Sequence, residues 1–203
     1  MSLTTVILPC CGKATRFGKD IRPKFLLTHP NSNSMLTQSI KGLDLTNVDK
    51  IYISVLKEHV DEYKFIEGLR RQINDDRVEF FIIDKSTSQP DTVATTIASN
   101  SIFDNIFIKD VDNYFEFEIP YGGGNYVTTY SLNQCSYINP INKSYLLKNN
   151  KDYICNIVEK DVISDQFCCG GYGFAYSDEY LQYYNKLSNN DNLYISNIIQ
   201  SMV

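Results

Sequence analysis

Histidine is nearly missing from this sequence. Only His29 and His59 occur in 203 residues. Neither lies in a metal-like cluster, so imidazole acid–base chemistry is not expected. No CxxC spacing occurs: the six cysteines stand at 10, 11, 135, 155, 168 and 169. Two vicinal pairs and two singletons do not make a zinc site. No apolar run approaches a membrane span, and positions 1–15 show no basic segment leading into an apolar one. The expectation is a cytoplasmic protein with free thiols, without a membrane. Positive charge is also short. There are 24 acidic against 19 Lys and Arg residues, a net charge of −5. Such a balance gives no global field for nucleic acid. An acidic chain that binds an anion must concentrate its cations locally.

One stretch does so. Thr5 to Leu27 reads TVILPCCGKATRFGKDIRPKFLL. Val6-Ile7-Leu8 predicts a buried strand, expected to stop at Pro9, which has no N–H for a ladder. The small-residue turn Cys10-Cys11-Gly12-Lys13-Ala14-Thr15 follows. Small side chains let backbone N–H groups approach a ligand, and such turns form anion-binding concavities. Lys13, Arg16, Lys19, Arg22 and Lys24 then face the single acid Asp20. Strand end, small-residue loop and basic cluster together suggest a polyphosphate site. The plainer alternative is a glycine turn with surface lysines.

The length suits one domain, 1–203. Ser34 predicts the cap of a helix starting at Met35. Strands are expected at Ile51–Leu56, Val78–Ile83 and Asn105–Lys109. Val78–Ile83 is nearly all apolar, as for a strand covered on both faces. His59–Ile73 reads as one helix. Another starts at Ser88-Gln89-Pro90-Asp91, with Pro90 suited to a first turn. This alternation argues for a parallel α/β sheet. After residue 114 three strands follow without long helices: Tyr126–Leu132, Tyr153–Glu159 and Phe167–Tyr176. Two helices close the chain, roughly Asp178–Leu187 and Leu193–Met202.

Asp110-Val111-Asp112 ends the strand at 105–109. Residues i and i+2 of a strand share a face, about 6.6 Å apart. Two carboxylates at the carboxyl edge of a parallel strand suit a hydrated divalent cation, since ligands of open α/β sheets bind outside that edge. A solvated acidic turn is the plainer reading.

ILPCCGKATRF followed by RPKFLL resembles the signature loop of the sugar-phosphate nucleotidyltransferases, the nucleoside-diphosphate-sugar pyrophosphorylases. Ala14 stands where that family usually has glycine, and two cysteines replace two alanines. The resemblance runs from about Thr5 to Ile199. It implies a Rossmann-like, mixed but mainly parallel sheet flanked by helices, the GT-A type nucleotidyltransferase fold. Longer members continue with a Gly-Thr segment that supplies or positions a second metal-binding carboxylate. That C-terminal part of the pattern is expected to be missing here.

The resemblance also implies roles. Pro9, Cys10, Cys11, Gly12, Lys13, Ala14 and Thr15 would cradle the nucleotide phosphates. Arg16 and Lys24 would be catalytic. Gln89 and Thr92, in Ser88-Gln89-Pro90-Asp91-Thr92-Val93, would contact the base; Gln89's plainer role is in the helix cap. In IFIKDVDNYF, Asp112 would be the ligand for Mg2+, with Asp110 as helper. Glu159 and Lys160 would hold the second substrate, and Gly171, in Cys169-Gly170-Gly171-Tyr172, would lie beneath it. The plainer readings there are a strand-end ion pair and a sheet crossing with a bulge.

The activity implied is transfer of a nucleotidyl group from a nucleoside triphosphate to a phosphorylated small molecule. The resemblance points to a sugar phosphate for surface or capsular polysaccharide. A weaker one points to capsule-locus cytidylyltransferases, with a non-sugar phosphate such as phosphoglutamine as acceptor. A homo-oligomer is compatible with either. Two other classes stay open: a GT-A glycosyltransferase using a nucleotide sugar, and a non-catalytic nucleotide-binding subunit. The first would have no need of Thr15-Arg16 and Pro23-Lys24.

Overall fold

The structure, a computed structural model, describes residues 3–12 and 22–203. An eight-stranded sheet organises them. Its first half alternates strand and helix: β1 (Thr4–Cys10), α1 (Met35–Ile40), the short β2 (Leu43–Asp44), β3 (Val48–Leu56), α2 (Lys57–Tyr63), α3 (Ile66–Ile73), β4 (Val78–Ile83), α4 (Gln89–Ser99) and β5 (Ile106–Lys109). Then come the short β6 (Phe117–Glu118), β7 (Tyr126–Ser131), β8 (Ser144–Lys148), β9 (Ile154–Glu159), β10 (Gln166–Phe174), α5 (Ser177–Leu187) and α6 (Ile195–Met202). The strand order is β4-β3-β1-β5-β10-β8-β9, with β7 also paired to β10, while β2 and β6 form a separate ribbon.

β4, β3, β1 and β5 are mutually parallel. β10 runs antiparallel to β5, and β7, β8 and β9 continue that sense. The expected mixed α/β sheet is present, with its parallel part leading to the site. Side-chain alternation in β1 explains why both faces are covered. Val6, Leu8 and Cys10 enter one core with Leu36, Phe65 and Leu69 of the α1 and α3 side. Ile7 enters the other with Val93, Tyr180 and Ile198 of α4, α5 and α6. A period of two thus feeds two helical layers from one strand.

Several sequence expectations need correction. β1 does not stop at Pro9; it runs through to Cys10, with Pro9 in register with Ser54 of β3. Pairing with β5 ends at Ile7↔Ile108, so Pro9 has one flank with no ladder to interrupt. β4 is not covered on both faces. It is an edge strand of the sheet, and Ile82 is 46% exposed. The predicted helix His59–Ile73 is two helices, because Lys64 takes a left-handed conformation (φ 49°) that ends α2. β8 was not expected. Its hydrophobic stretch is only Tyr145-Leu146-Leu147, too short to register among the surrounding Asn and Lys residues. The Ser34 cap is as predicted, accepting from the Thr37 N–H, and Ser88 caps α4 by accepting from the Asp91 N–H.

Candidate active site

A cleft of about 580 Å³ opens at the carboxyl ends of β1 and β5. Pro9, Cys10, Cys11 and Gly12 form one wall, the start of α4 with Gln89 and Thr92 another, and Asp110 and Asp112 the floor. Lys24 enters from a 3₁₀ turn at Lys24–Leu26. The next residue, Phe25, is buried and packs edge-on to Phe65 at 5.2 Å. That contact ties the turn, and so Lys24, to the core. The far wall carries Lys143 and Ser144 where β8 begins and Glu159 and Lys160 where β9 ends, with Tyr194 and Ser196 at the start of α6.

Lys24 Nζ donates to Asp112 Oδ2 at 3.1 Å. These residues are 88 positions apart in sequence, so the fold brings the basic stretch and the acidic turn together. The pair is about 40% exposed, with side chains at 37% and 44%.

The turn after β5 is held from beneath. Lys109 is fully buried, and its ammonium donates to the Asp110 and Asn113 carbonyls and to Asn113 Oδ1. It also lies 4.4 Å from the Phe115 ring centroid. Asn113 Nδ2 donates to the Cys169 carbonyl, and the Asp110 N–H to the Gly170 carbonyl at 2.8 Å. Gly170 has φ +91°, and a Cβ there would collide with Asn113 and Asp110. Glycine at this point lets β10 approach the acidic turn.

Burial, and then the Asp112 charge, push the Asp110 carboxyl above its ordinary range, against the hydrogen bond that it accepts from Gln89. Burial pulls the Lys109 ammonium down. Two neighbouring carboxylates held in this way, one raised by the other's charge, form an oxygen donor set at the cleft floor. That set fits a hard divalent cation bound by one or two carboxylates together with substrate phosphates. Among the described residues no group of three His, Cys, Asp or Glu forms an all-protein cage.

Gln89 and Thr92 line the cleft but already have partners. Gln89 donates to Asp110 Oδ1, and the Thr92 hydroxyl bonds Ser86 and the Ser88 carbonyl. Cys10 and Cys11 are neutral thiols: burial raises both, Cys11 to about 11 against a hydrogen bond with Thr92. All six cysteines are free. Glu159 accepts from the Ser144 and Ser196 hydroxyls, the latter at 2.7 Å. Lys160 donates to the Tyr194 hydroxyl. Gly171 does not line the cleft. A Cβ there would meet Thr128 Oγ1 at 2.6 Å and Phe107 at 2.8 Å, so its smallness serves packing within the sheet; its neighbour Gly170 lines the cleft. Lys13, Ala14, Thr15 and Arg16 lie outside the described residues.

Sequence reasoning missed Lys109, Asn113, Lys143, Ser144, Tyr194 and Ser196. Pairing of 144–148 with 154–159 would have pointed to Lys143 and Ser144, but it needs a strand that the sequence does not mark.

No family model matches the chain, and no curated protein matches it. Solved structures do. A nucleoside-diphosphate-sugar pyrophosphorylase from Vibrio cholerae superposes with a TM-score of 0.78 at 17% identity, over 97% of this chain and 86% of that one. The inositol-1-phosphate CTP transferase of T. maritima does so at 0.74 and 14%, over 99% and 81%. This chain has the nucleotidyltransferase fold. A putative glucose-1-phosphate thymidylyltransferase from Bacillus anthracis has that fold too, at 0.73 and 21% identity, over 97% and 81%. Within the nucleotidyltransferase fold, the cleft lies where the parallel strands end.

Proposed function

We propose that this protein is a nucleotidyltransferase. It joins a nucleoside triphosphate to a phosphorylated small molecule and releases pyrophosphate. An acceptor phosphate oxygen attacks the α-phosphorus; the bond from that phosphorus to the bridging oxygen breaks, and pyrophosphate leaves with the electron pair. The acceptor is ionised at neutral pH, so no general base is needed. Catalysis is positioning and charge neutralisation.

Each residue has a part. Backbone of Cys10 to Gly12 borders the phosphates, and Lys13, Ala14, Thr15 and Arg16 would continue that border. Lys24 neutralises charge on the α-phosphate and orients the attacking oxygen. Lys160 binds the acceptor's phosphate, and Glu159 fixes the wall behind it. Asp112 and Asp110 would hold Mg2+, which when bound supplies charge neutralisation on the phosphates. Gln89 orients Asp110, and Thr92 shapes the start of α4.

The observation that carries this reading is the meeting of Lys24 and Asp112 in one cleft of this fold. The names of the structural neighbours favour a sugar or polyol phosphate as acceptor, and a sugar phosphate for surface or capsular polysaccharide is the first to try. A screen of pyrophosphate release tests the reading: four triphosphates against phosphorylated sugars, polyols and amino acids, with Mg2+. One pairing should release pyrophosphate. Nucleotide binding by calorimetry with no release in any pairing would instead make the protein a non-catalytic binder. Turnover of a nucleotide sugar alone would make it a glycosyltransferase.

A further inference from the structure

The acceptor wall holds an arrangement that stability alone does not favour. β8 and β9 pair antiparallel, with Ser144 opposite Glu159. One step outward Lys143 faces Lys160, and the Lys160 N–H donates to the Lys143 carbonyl at 2.8 Å. Both residues line the cleft. They lie one residue beyond the paired strands, Lys160 in a left-handed conformation (φ 59°), and like charges gathered at one strand end repel. Carboxylates would be the usual remedy, yet little is provided. Lys160 lies 3.9 Å from Glu159, whose Oε2 is already taken by two serine hydroxyls. Among the described residues no carboxylate lies within ion-pair distance of Lys143; its charge reaches the buried Asp110 carboxyl, which it lowers from across the cleft.

Aromatic rings stand there instead. Lys160 Nζ lies 4.1 Å from the Tyr194 ring centroid, and Lys143 Nζ 5.7 Å from that of Phe167. A ring face holds an ammonium in place without neutralising it. The charge stays available to an anion in the cleft.

We propose that Lys143 and Lys160 form a two-lysine clamp for a phosphomonoester dianion, with Lys143 a binding residue in its own right. A doubly charged terminal phosphate offsets both ammonium groups, whereas a monoanionic phosphodiester or a carboxylate leaves one exposed to the other. The clamp rests on the nucleotidyl-transfer reading only for the name of its ligand, the acceptor. It selects acceptors ending in a free phosphate and is indifferent to what that phosphate is attached to.

The test starts without nucleotide. Inorganic phosphate is titrated calorimetrically into the wild type, Lys143→Met, Lys143→Arg and Lys160→Met at pH 8, where phosphate is mainly the dianion. Methyl phosphate and dimethyl phosphate serve as dianion and monoanion. Each methionine variant should weaken phosphate binding about tenfold, the loss of one charge-assisted contact. Lys143→Arg should retain most of it, and dimethyl phosphate should bind weakly to all. Phosphate should also raise the melting temperature of the wild type more than that of Lys143→Met, since only a ligand of the folded state stabilises it. No binding by the wild type would overturn the clamp. So would a folded Lys143→Met that binds phosphate as tightly as the wild type. Should Lys143→Met not fold, Lys143→Gln and the wild-type preference between methyl and dimethyl phosphate decide. The two readings separate cleanly. Phosphate binding that depends on Lys143, with no pyrophosphate release from any substrate pair, upholds the clamp and removes the transferase. Pyrophosphate release with an acceptor KM unchanged in Lys143→Met does the reverse.

Discussion

At the scale of single residues, the Lys24–Asp112 pair separates function from stability. The pair is substantially exposed, and such a pair contributes about 0–1 kcal/mol. Lys24→Ala should therefore leave the urea midpoint almost unchanged while lowering kcat by about 100-fold or more, the size seen when a preorganised charge is removed from an active site. Ordinary turnover in that variant at saturating Mg2+ and substrates would take Lys24 out of the mechanism. Asp112→Asn should shift or abolish the Mg2+ dependence of turnover, and an unchanged metal titration would count against Asp112. Both residues were legible in the sequence because each sits beside a marked feature, Pro23 for one and a strand end for the other. Lys109 was not. Read in sequence it is a polar residue ending an apolar strand, which normally means solvent. Only the fold reveals that its ammonium bonds the turn from inside. The same limit hid Lys143, whose meaning lies in what stands opposite.

Among the elements, β10 does most to shape the site. It borders β5 and passes beneath the acidic turn, and Gly170 is where the two come closest. Gly170→Ala places a methyl group against Asn113 and Asp110 at a left-handed φ of +91°. Neither the backbone nor the neighbours can absorb that cheaply, so stability should fall by about 1–3 kcal/mol. The Mg2+ dependence should weaken as the turn is displaced. Gly68 is the control. It lies inside α3, and a Cβ there meets nothing within 4 Å. Gly68→Ala should add about 0.5–1 kcal/mol by helix propensity alone and leave turnover unchanged. Thermal melts and Mg2+ titrations of the two variants check the contrast. A silent Gly170→Ala would show that β10 does not set the turn. The parallel strands were readable because apolar runs ended in turn chemistry. β8 was not readable, since three apolar residues among polar ones carry no period. The division between α2 and α3 was hidden too, because the apolar spacing runs on past Lys64.

Over the whole molecule, the cleft joins two halves with different logic. In the parallel half the end of β1 and the turn at Lys24 face the acidic turn after β5, while the ends of β8 and β9 and the start of α6 supply the far wall. The parallel half is fastened at its far end by a polar contact remote from the cleft. Arg77 donates to the Leu45 and Val48 carbonyls at 2.7 and 2.9 Å, and Asp75 grips its guanidinium at 2.7 and 3.0 Å. The Arg77 hydrogen bonds hold the Asp75 carboxyl below its ordinary value of 3.8, against some burial. A folded-state value below the unfolded one means that ionised Asp75 stabilises the fold. That contribution is complete above the unfolded value, near 3.8, and is lost as the pH falls through the lower folded value. Asp75→Asn should therefore be less stable than the wild type by a constant margin between about pH 7 and 5. The margin should narrow below about pH 4, as the wild-type carboxyl takes up its proton. Pyrophosphate release at pH 7 should be the same in both proteins, because the contact lies outside the cleft. Urea unfolding across this pH range measures the margin, and a gap that stayed constant into strong acid would mean that Asp75 acts through its shape and not its charge.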